Sequence, residues 1–315
     1  MSKIAFIYPG QGAQKAGMGA DFYENSEIAR YIFDQAGEEL DLDMKELCFE
    51  ENDRLDLTEY TQAAMVTTCL AMTRVAESKG LKADITAGLS LGEYPAIAAA
   101  GGMNDMDAIR LVRKRGILMQ NTVPAGEGAM CAVISMAAEE IEKVIEPIAD
   151  VSVANYNCPG QIVITGKTDA VEEAAAKLKE AGARRTIMLN VSGPFHSQML
   201  VPAGEKLAEE LEHTRFHELR IPYVTNVTAE KVTDIRETPG LLTTQISSPV
   251  RWMQSMERMI ADGVDTFVEI GPGKTLEGFL RKIDRSVKVF HISQWEDVDK
   301  VCTELADSGE MMEEA

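Results

Sequence analysis

The chain has 315 residues and a formal charge of −20, from 31 lysines and arginines against 51 aspartates and glutamates. That length fits one large α/β domain, or a large domain carrying a small insert, and 45% hydrophobic with 26% charged residues excludes wholesale disorder. The acidic balance argues against nucleic acid and anionic membrane surfaces as partners, although it leaves room for a local basic patch.

Residues 3–8 read as a first strand, an apolar run ended by Pro9 and Gly10. A glycine-rich turn follows. Residues 26–39 and 59–79 read as helices, the second apolar on most of its surface and so expected to be buried. A short strand at 83–88 leads to a helix at 91–100, and another helix at 105–121 carries Arg110, Arg113, Lys114 and Arg115. From about residue 126 the texture changes. Strands at 129–135, 151–155, 161–165 and 184–189 alternate with helices at 138–146 and 169–181 in the order βαββαβ, the succession of a ferredoxin-like unit. The α/β texture then resumes. Helices are expected at 198–213, 236–247, 250–262 and 274–283, and strands at 223–226, 265–270 and 287–291. The tail from 296 onward holds eight acids and one lysine, with its first half helical and its last residues frayed.

Five cysteines (Cys48, Cys69, Cys131, Cys158 and Cys302) are odd in number, far apart and free of any CxxC. They indicate neither a disulfide framework nor a zinc site. The apolar run near the start is too short for a signal-peptide core, and none approaches the ~20 residues of a membrane span. A soluble, cytoplasmic protein is expected.

The strongest local signal is Gly88-Leu89-Ser90-Leu91-Gly92, a G-x-S-x-G between a predicted strand and a predicted helix. Such a turn projects the serine above the sheet at a helix N-terminus, where backbone N–H groups can hold an oxyanion. The bland alternative is a serine capping a tight turn. A serine nucleophile needs a base. Of the four histidines, His213 and His217 sit in a charged stretch and His291 ends a strand, whereas His196 stands in a loop beside Gly193-Pro194. His196 is therefore the preferred base. No obvious buried acid lies between Ser90 and His196; Asp107, Asp150 and Asp169 qualify only by being present. One guanidinium of the Arg113-Lys114-Arg115 run could clamp a carboxylate, and spacing leaves open which one. Two nucleotide-loop patterns fail. Lys15 stands where the dinucleotide fingerprint needs its third glycine, and Val268 where a P-loop needs its first.

Several segments together resemble one family, the malonyl-CoA:acyl-carrier-protein transacylases and the related acyltransferase domains of polyketide synthases. They are Tyr8-Pro9-Gly10-Gln11-Gly12, Gly88 to Tyr94, Arg113-Lys114-Arg115-Gly116 with Met119-Gln120, Asn155 to Gln161, Phe195-His196-Ser197, Gln245 with Pro249-Val250-Arg251-Trp252, and Glu269 to Lys274. Their order matches the family's and they span nearly the whole chain. The resemblance implies an α/β-hydrolase-like core over 1–125 and 190–315 and a ferredoxin-like insert over 126–189. It implies that Ser90 is acylated, that His196 is base and then acid, and that the main-chain carbonyl of Gln245 replaces the missing carboxylate. It also implies that Arg115 pairs with the malonyl carboxylate, that the N–H groups of Gln11 and Leu91 form the oxyanion hole, and that Asn155 orders the site. Phe195 implies malonyl over methylmalonyl, a packing preference limited to roughly 1–3 kcal/mol. Leu89 departs from the histidine common at that position and leaves the Ser90–His196 pair intact.

The implied activity is transfer of malonyl from malonyl-CoA to an acyl carrier protein for fatty acid or polyketide synthesis, by a monomer with no metal and no cofactor. Its rivals are a serine hydrolase or acyl-editing enzyme and a non-catalytic binding module. Carrier proteins of this family and CoA are anionic, so docking requires local basic groups. Residues 270–290 hold Lys274, Arg281, Lys282, Arg285 and Lys288 against Glu277 and Asp284, and Arg184 and Arg185 close the insert. These two groups are the expected docking surface.

Overall fold

In the computed structural model, which describes residues 2–307, the run IAFIY forms β1 (Ile4–Tyr8), buried along its whole length. A continuous apolar run suits a parallel strand covered on both faces. Four helices follow: α1 (Ala20–Asn25), α2 (Glu27–Leu40), α3 (Met44–Phe49) and α4 (Thr58–Ser78), the last buried nearly all round. Next, β2 (Ile85–Gly88) passes through one 3₁₀ turn, Ser90–Gly92, into α5 (Glu93–Ala99) and α6 (Asp105–Asn121).

The middle of the chain makes β3 (Gly128–Ile134), α7 (Ala138–Ile145), β4 (Val151–Cys158), β5 (Gln161–Lys167), α8 (Thr168–Glu180) and β6 (Arg185–Met188). The chain then continues through α9 (Val201–Glu212), β7 (Tyr223–Val224), β8 (Lys231–Val232), α10 (Thr238–Gln245), α11 (Trp252–Ala261), β9 (Thr266–Ile270), α12 (Thr275–Ile283), β10 (Lys288–Ile292) and α13 (Trp295–Asp307).

Ten strands form two sheets among the described residues. The larger has the order β10-β9-β1-β2-β7-β8, parallel except for the β7–β8 pair. Along β1, Ile4, Phe6 and Tyr8 join the core on one face, and Ala5 and Ile7 join the core on the other. The smaller sheet is antiparallel in the order β4-β5-β3-β6. One face, with Cys131, Val133, Ile162 and Ile164, packs in a core with Ile141 of α7 and Val171 and Leu178 of α8. The other, with Met130, Ala132 and Val163, belongs to the main core. An isolated parallel bridge ties β4 to the segment that enters α11: Val250 donates to the Ala154 carbonyl (2.8 Å) and accepts from the Tyr156 amide (2.9 Å).

The elements expected from sequence are present within a few residues at each end. The short α1 and α3 and the two-residue β8 were not expected. The strand expected over 223–226 stops at Val224, because Thr225 and Asn226 turn away to bond side chains and the β7–β8 turn. The last part of the acidic tail, 308–315, lies outside the described residues.

Two glycines set the βα turn. A Cβ on Gly88 would stand 1.8 Å from the Gly92 carbonyl oxygen, and one on Gly92 would stand 2.4 Å from that of Tyr8. Gly88→Ala is therefore expected to cost about 3 kcal/mol, the upper end for overpacking, read as a fall in thermal midpoint. Gly278→Ala, in a helix with open space around it, is expected to raise the midpoint by the equivalent of ~0.5–1 kcal/mol. Equal midpoints for the two variants would contradict the steric account.

Candidate active site

Ser90 begins the 3₁₀ turn after β2 with φ of 55°, a left-handed conformation that costs a non-glycine residue on the order of 1–3 kcal/mol. Asn226 holds it there. Its Oδ1 accepts from the Ser90 amide (2.7 Å) and its Nδ2 donates to the Gly88 carbonyl (2.7 Å), spanning the turn. His196 also has a positive φ, 60°, in the loop that returns from the smaller sheet. Its Nε2 lies 2.8 Å from Ser90 Oγ, and its Nδ1 donates to the Gln245 carbonyl at 2.9 Å. That second bond assigns the tautomer: Nδ1 carries the proton and Nε2 is free to accept from the serine.

Arg115 comes up beneath the pair. On α6 the residues Ala108, Leu111, Val112 and Met119 are buried, and the 3.6-residue period carries Arg115 inward with them. Its neighbours turn outward: Arg110 to Glu39 and Asp107, Arg113 to Glu59 over the Tyr60 ring, and Lys114 to Glu210. The guanidinium is fully buried. It donates to Gln62 Oε1 (2.7 Å), Ser90 Oγ (3.0 Å) and Gln245 Oε1 (2.9 Å), and Nε has no partner among the described residues.

A cavity of about 740 Å³ opens over Ser90 and His196. Gln11, Leu91, Asn155, Asn157 and Phe195 line it, together with Thr275, Leu276 and Phe279 from the first turns of α12. A bulge in β4 between Val153 and Asn155 re-aims this strand, and both asparagines look into the cavity. Asn157 Oδ1 is buried without a hydrogen-bond partner among the described residues.

Of the remaining expected residues, Lys274, Arg281, Lys282, Arg184 and Arg185 are exposed. Lys282 reaches Gln161 Oε1 at 3.4 Å. Gln161 pairs with Ile134, which pairs in turn with Arg185, so Lys282 and Arg185 meet the same end of the smaller sheet. Arg281 binds Glu277, and with Arg285 and Lys282 it borders a separate depression of about 650 Å³. The histidines set aside stay apart. His213 caps α9, His217 is half-buried, and His291 faces Glu277 on the edge strand β10.

One expectation is corrected. A buried acid does stand between Ser90 and His196: Glu93 is fully buried at the first position of α5. It accepts from Gln245 Nε2 (2.6 Å) and from the Asn226 amide (3.1 Å). The signal was the segment EYPAIAA, where an acid opens an otherwise apolar helix too short to have a polar face. Asp107 is also buried, but it is spent on the α6 N-cap and Arg110. Asp150, in a turn, pairs with Lys167.

Burial, and then the charge of Arg115, hold His196 down to about 4, so its ring is neutral at neutral pH. Burial pushes Glu93 up to about 7 against its hydrogen bonds. Burial pulls Arg115 downward as well, but a guanidinium keeps its proton in proteins. The arrangement thus holds a hydroxyl, a neutral base with a fixed tautomer and a cation within one hydrogen-bond radius. These are the parts needed to attack a carbonyl near a carboxylate.

A family model described as acyl transferase domain matches residues 5–298. The chain is 43% identical to the malonyl CoA-acyl carrier protein transacylase of Bacillus subtilis over 98% of this chain and 99% of that one. It is 40% identical to that of Staphylococcus aureus over 95% and 98%. The malonyl CoA-acyl carrier protein transacylase of Clostridium perfringens superposes with a TM-score of 0.94 at 42% identity, over 98% of both chains. A malonyl-transacylase solved in complex with its type II polyketide acyl-carrier protein superposes with a TM-score of 0.93 at 35% identity, over 96% of this chain and all of that one.

A small neutral sulfonyl fluoride reads the pair without substrate. Ser90 labelling is expected to be flat from pH 8 to about pH 5 and to fall below that as His196 takes a proton. In Arg115→Ala the acid limb should move to higher pH, because a positive charge beside the ring has been removed. A limb that does not move would separate the two groups electrostatically.

Proposed function

The chain belongs to the acyl transferase family and is an acyltransferase of the malonyl CoA-acyl carrier protein kind, and we propose that it moves malonyl from CoA to the phosphopantetheine thiol of a carrier protein through an ester on Ser90. The observation that carries the route is the chain of contacts from Arg115 to Ser90 Oγ to His196 to the Gln245 carbonyl. Ser90 Oγ attacks the thioester carbon while its proton passes to His196 Nε2. The oxyanion forms beside Gln11 and Leu91, whose backbone N–H groups are the proposed donors, and both residues line the cavity next to Ser90. As the C–S bond breaks, the proton passes to the departing CoA sulfur. The carrier's thiol repeats the sequence in reverse on the malonyl ester, with His196 again as base. No cofactor enters these steps.

Arg115 is the proposed partner of the free malonyl carboxylate, which takes up the donors now spent on Ser90 Oγ and Gln245. A hydrolase of neutral esters has no use for a buried guanidinium, which favours transfer of a carboxylated acyl group. Phe195, 6% exposed at the cavity wall, fills the space an α-methyl would need. Asn155 borders the same space and ties β4 to Val250.

The strand order β4-β5-β3-β6 with the succession βαββαβ supports reading 126–189 as a ferredoxin-like insert in an α/β-hydrolase-like core of 1–125 and 190–315. No helix among the described residues is long and apolar enough to cross a membrane, and the free cysteines fit a cytoplasmic setting. A monomer is favoured because the exposed large apolar side chains among the described residues are few and mostly scattered. Ile187 and Met188 are the adjacent pair, on the same edge strand as Arg185. With Arg184, Lys282, Lys274 and Arg281 they support docking of an acidic carrier across the gap between β6 and α12.

Intact mass after mixing with malonyl-CoA tests the route. A single malonyl adduct is expected in the wild type and none in Ser90→Ala; an adduct that persists in Ser90→Ala would sink it. Arg115→Ala is expected to lose malonylation by about 100-fold, roughly 3 kcal/mol for a charged hydrogen-bonded pair, and to keep transfer of uncharged acyl groups. Equal loss on both would count against the carboxylate role. Reversing Arg184, Arg185 and Lys282 together is expected to slow the carrier-dependent half-reaction and to spare Ser90 malonylation from malonyl-CoA. An unchanged carrier rate would refute that docking surface.

A further inference from the structure

Among the described residues no carboxylate bonds Arg115 directly. Its donors meet an amide oxygen of Gln62, the Ser90 hydroxyl and an amide oxygen of Gln245. A fully buried guanidinium without a counter-charge is costly, and one carboxylate stands a single side chain away. Gln245 is the bridge. Its Oε1 accepts from Arg115 Nη2 at 2.9 Å, and its Nε2 donates to Glu93 Oε2 at 2.6 Å and to the Ser90 carbonyl at 3.0 Å. The carbonyl of the same residue accepts the hydrogen bond from His196 Nδ1. Both charges are sealed from water, so they act on each other with little screening. Among the described residues Glu93 Oε1 is buried with no hydrogen-bond partner, an arrangement poor for a full anion and open to a proton.

We propose that Glu93 is the standing counter-charge of Arg115 in the empty site, and that it takes a proton when the substrate's carboxylate arrives and replaces it. The inference rests on the reading that Arg115 receives the malonyl carboxylate. Two carboxylates and one guanidinium in a closed site leave one negative charge in excess. The malonyl group, hydrogen-bonded directly to Arg115, keeps its charge. Glu93, one residue removed and with a bare oxygen, gives up its own.

The other groups facing Glu93 do not supply that charge. Tyr94 on its own helix and Tyr223 on β7 are buried phenols pushed upward, Thr225 and Asn226 follow β7, and Gln245 closes α10. His196, across Arg115, is held neutral. Burial places Glu93 near 7 in the empty site, so it is poised to change state at working pH. Glu93 touches no reacting atom. It is a positioning residue that acts through Gln245 on the base and the clamp together.

The bond exchange itself moves no net proton at pH 7. The Ser90 proton leaves with CoA as its thiol, and the acyl group passes from sulfur to oxygen. Any uptake from solvent therefore reports a side chain. The test follows a pH indicator in weakly buffered solution during a single turnover of malonyl-CoA without carrier. Intact mass of the same samples scores the Ser90 ester. Uptake of about half a proton per malonylated site is expected at pH 7, in step with ester formation. Glu93→Gln should form the ester with no uptake. Acetyl-CoA, which brings no carboxylate, should give none in the wild type, a check that needs no variant to fold. Ester formation without uptake in the wild type overturns the proposal. So does equal uptake in Glu93→Gln, which would place the proton on His196, or equal uptake with acetyl-CoA. Absence of the Ser90 ester would instead fault the acyl-transfer route.

Discussion

A positive charge sealed beside the Ser90 hydroxyl is the constraint around which the cleft is arranged. Arg115 is fully buried and held by neutral oxygens, so neighbouring groups must position it, balance it or tolerate it. It depresses the basicity of His196 and shares Gln245 with that same histidine. A neutral base and a charged clamp can coexist so closely only because the base is not asked to be charged at rest. A carboxylate directly on His196 Nδ1 would make the ring more basic. A main-chain carbonyl orients it with less charge, and leaves Glu93 free to answer to the guanidinium.

The backbone cooperates at equal cost. Ser90 and His196 both occupy left-handed conformations without being glycine, and each is fixed by hydrogen bonds from elsewhere in the chain. Asn226 is the quiet member of this arrangement. It bridges the elbow from amide to carbonyl, and its own amide donates to Glu93. Removing such a residue would relax the turn before it touched any chemistry.

Much of this was legible in the sequence, and the parts that were not have physical reasons. The strands declared themselves because a parallel strand covered on both faces is an unbroken apolar run, and Pro9 or glycine ends it. The succession βαββαβ was readable from the change of period alone. The helices α1 and α3, each six residues long, are too short to show a period, and β8 is two residues. Ser90 and His196 stood out by motif and by elimination. Arg115 needed the family resemblance, because a run of three basic residues hid which one shares the buried face of Ala108, Leu111, Val112 and Met119. Glu93 was passed over because an acid near a helix start reads as an ordinary N-terminal charge. Only its burial, and the partners it finds 133 and 152 residues away, show otherwise.

The position of the smaller sheet within the chain has a temporal consequence. Ser90 precedes that sheet, His196 follows it directly, and Gln245 comes later still. Ser90 and His196, which meet in the cleft, are 106 residues apart, a long loop for the unfolded chain to close. A folded βαββαβ unit brings its own ends within reach and takes most of that loop out of the search. On a growing polypeptide, which emerges from its N-terminal end, Ser90 is made long before His196, the base proposed for it. Ser90 therefore cannot meet its proposed base until residue 196 has been made, and cannot find that base oriented until Gln245 follows.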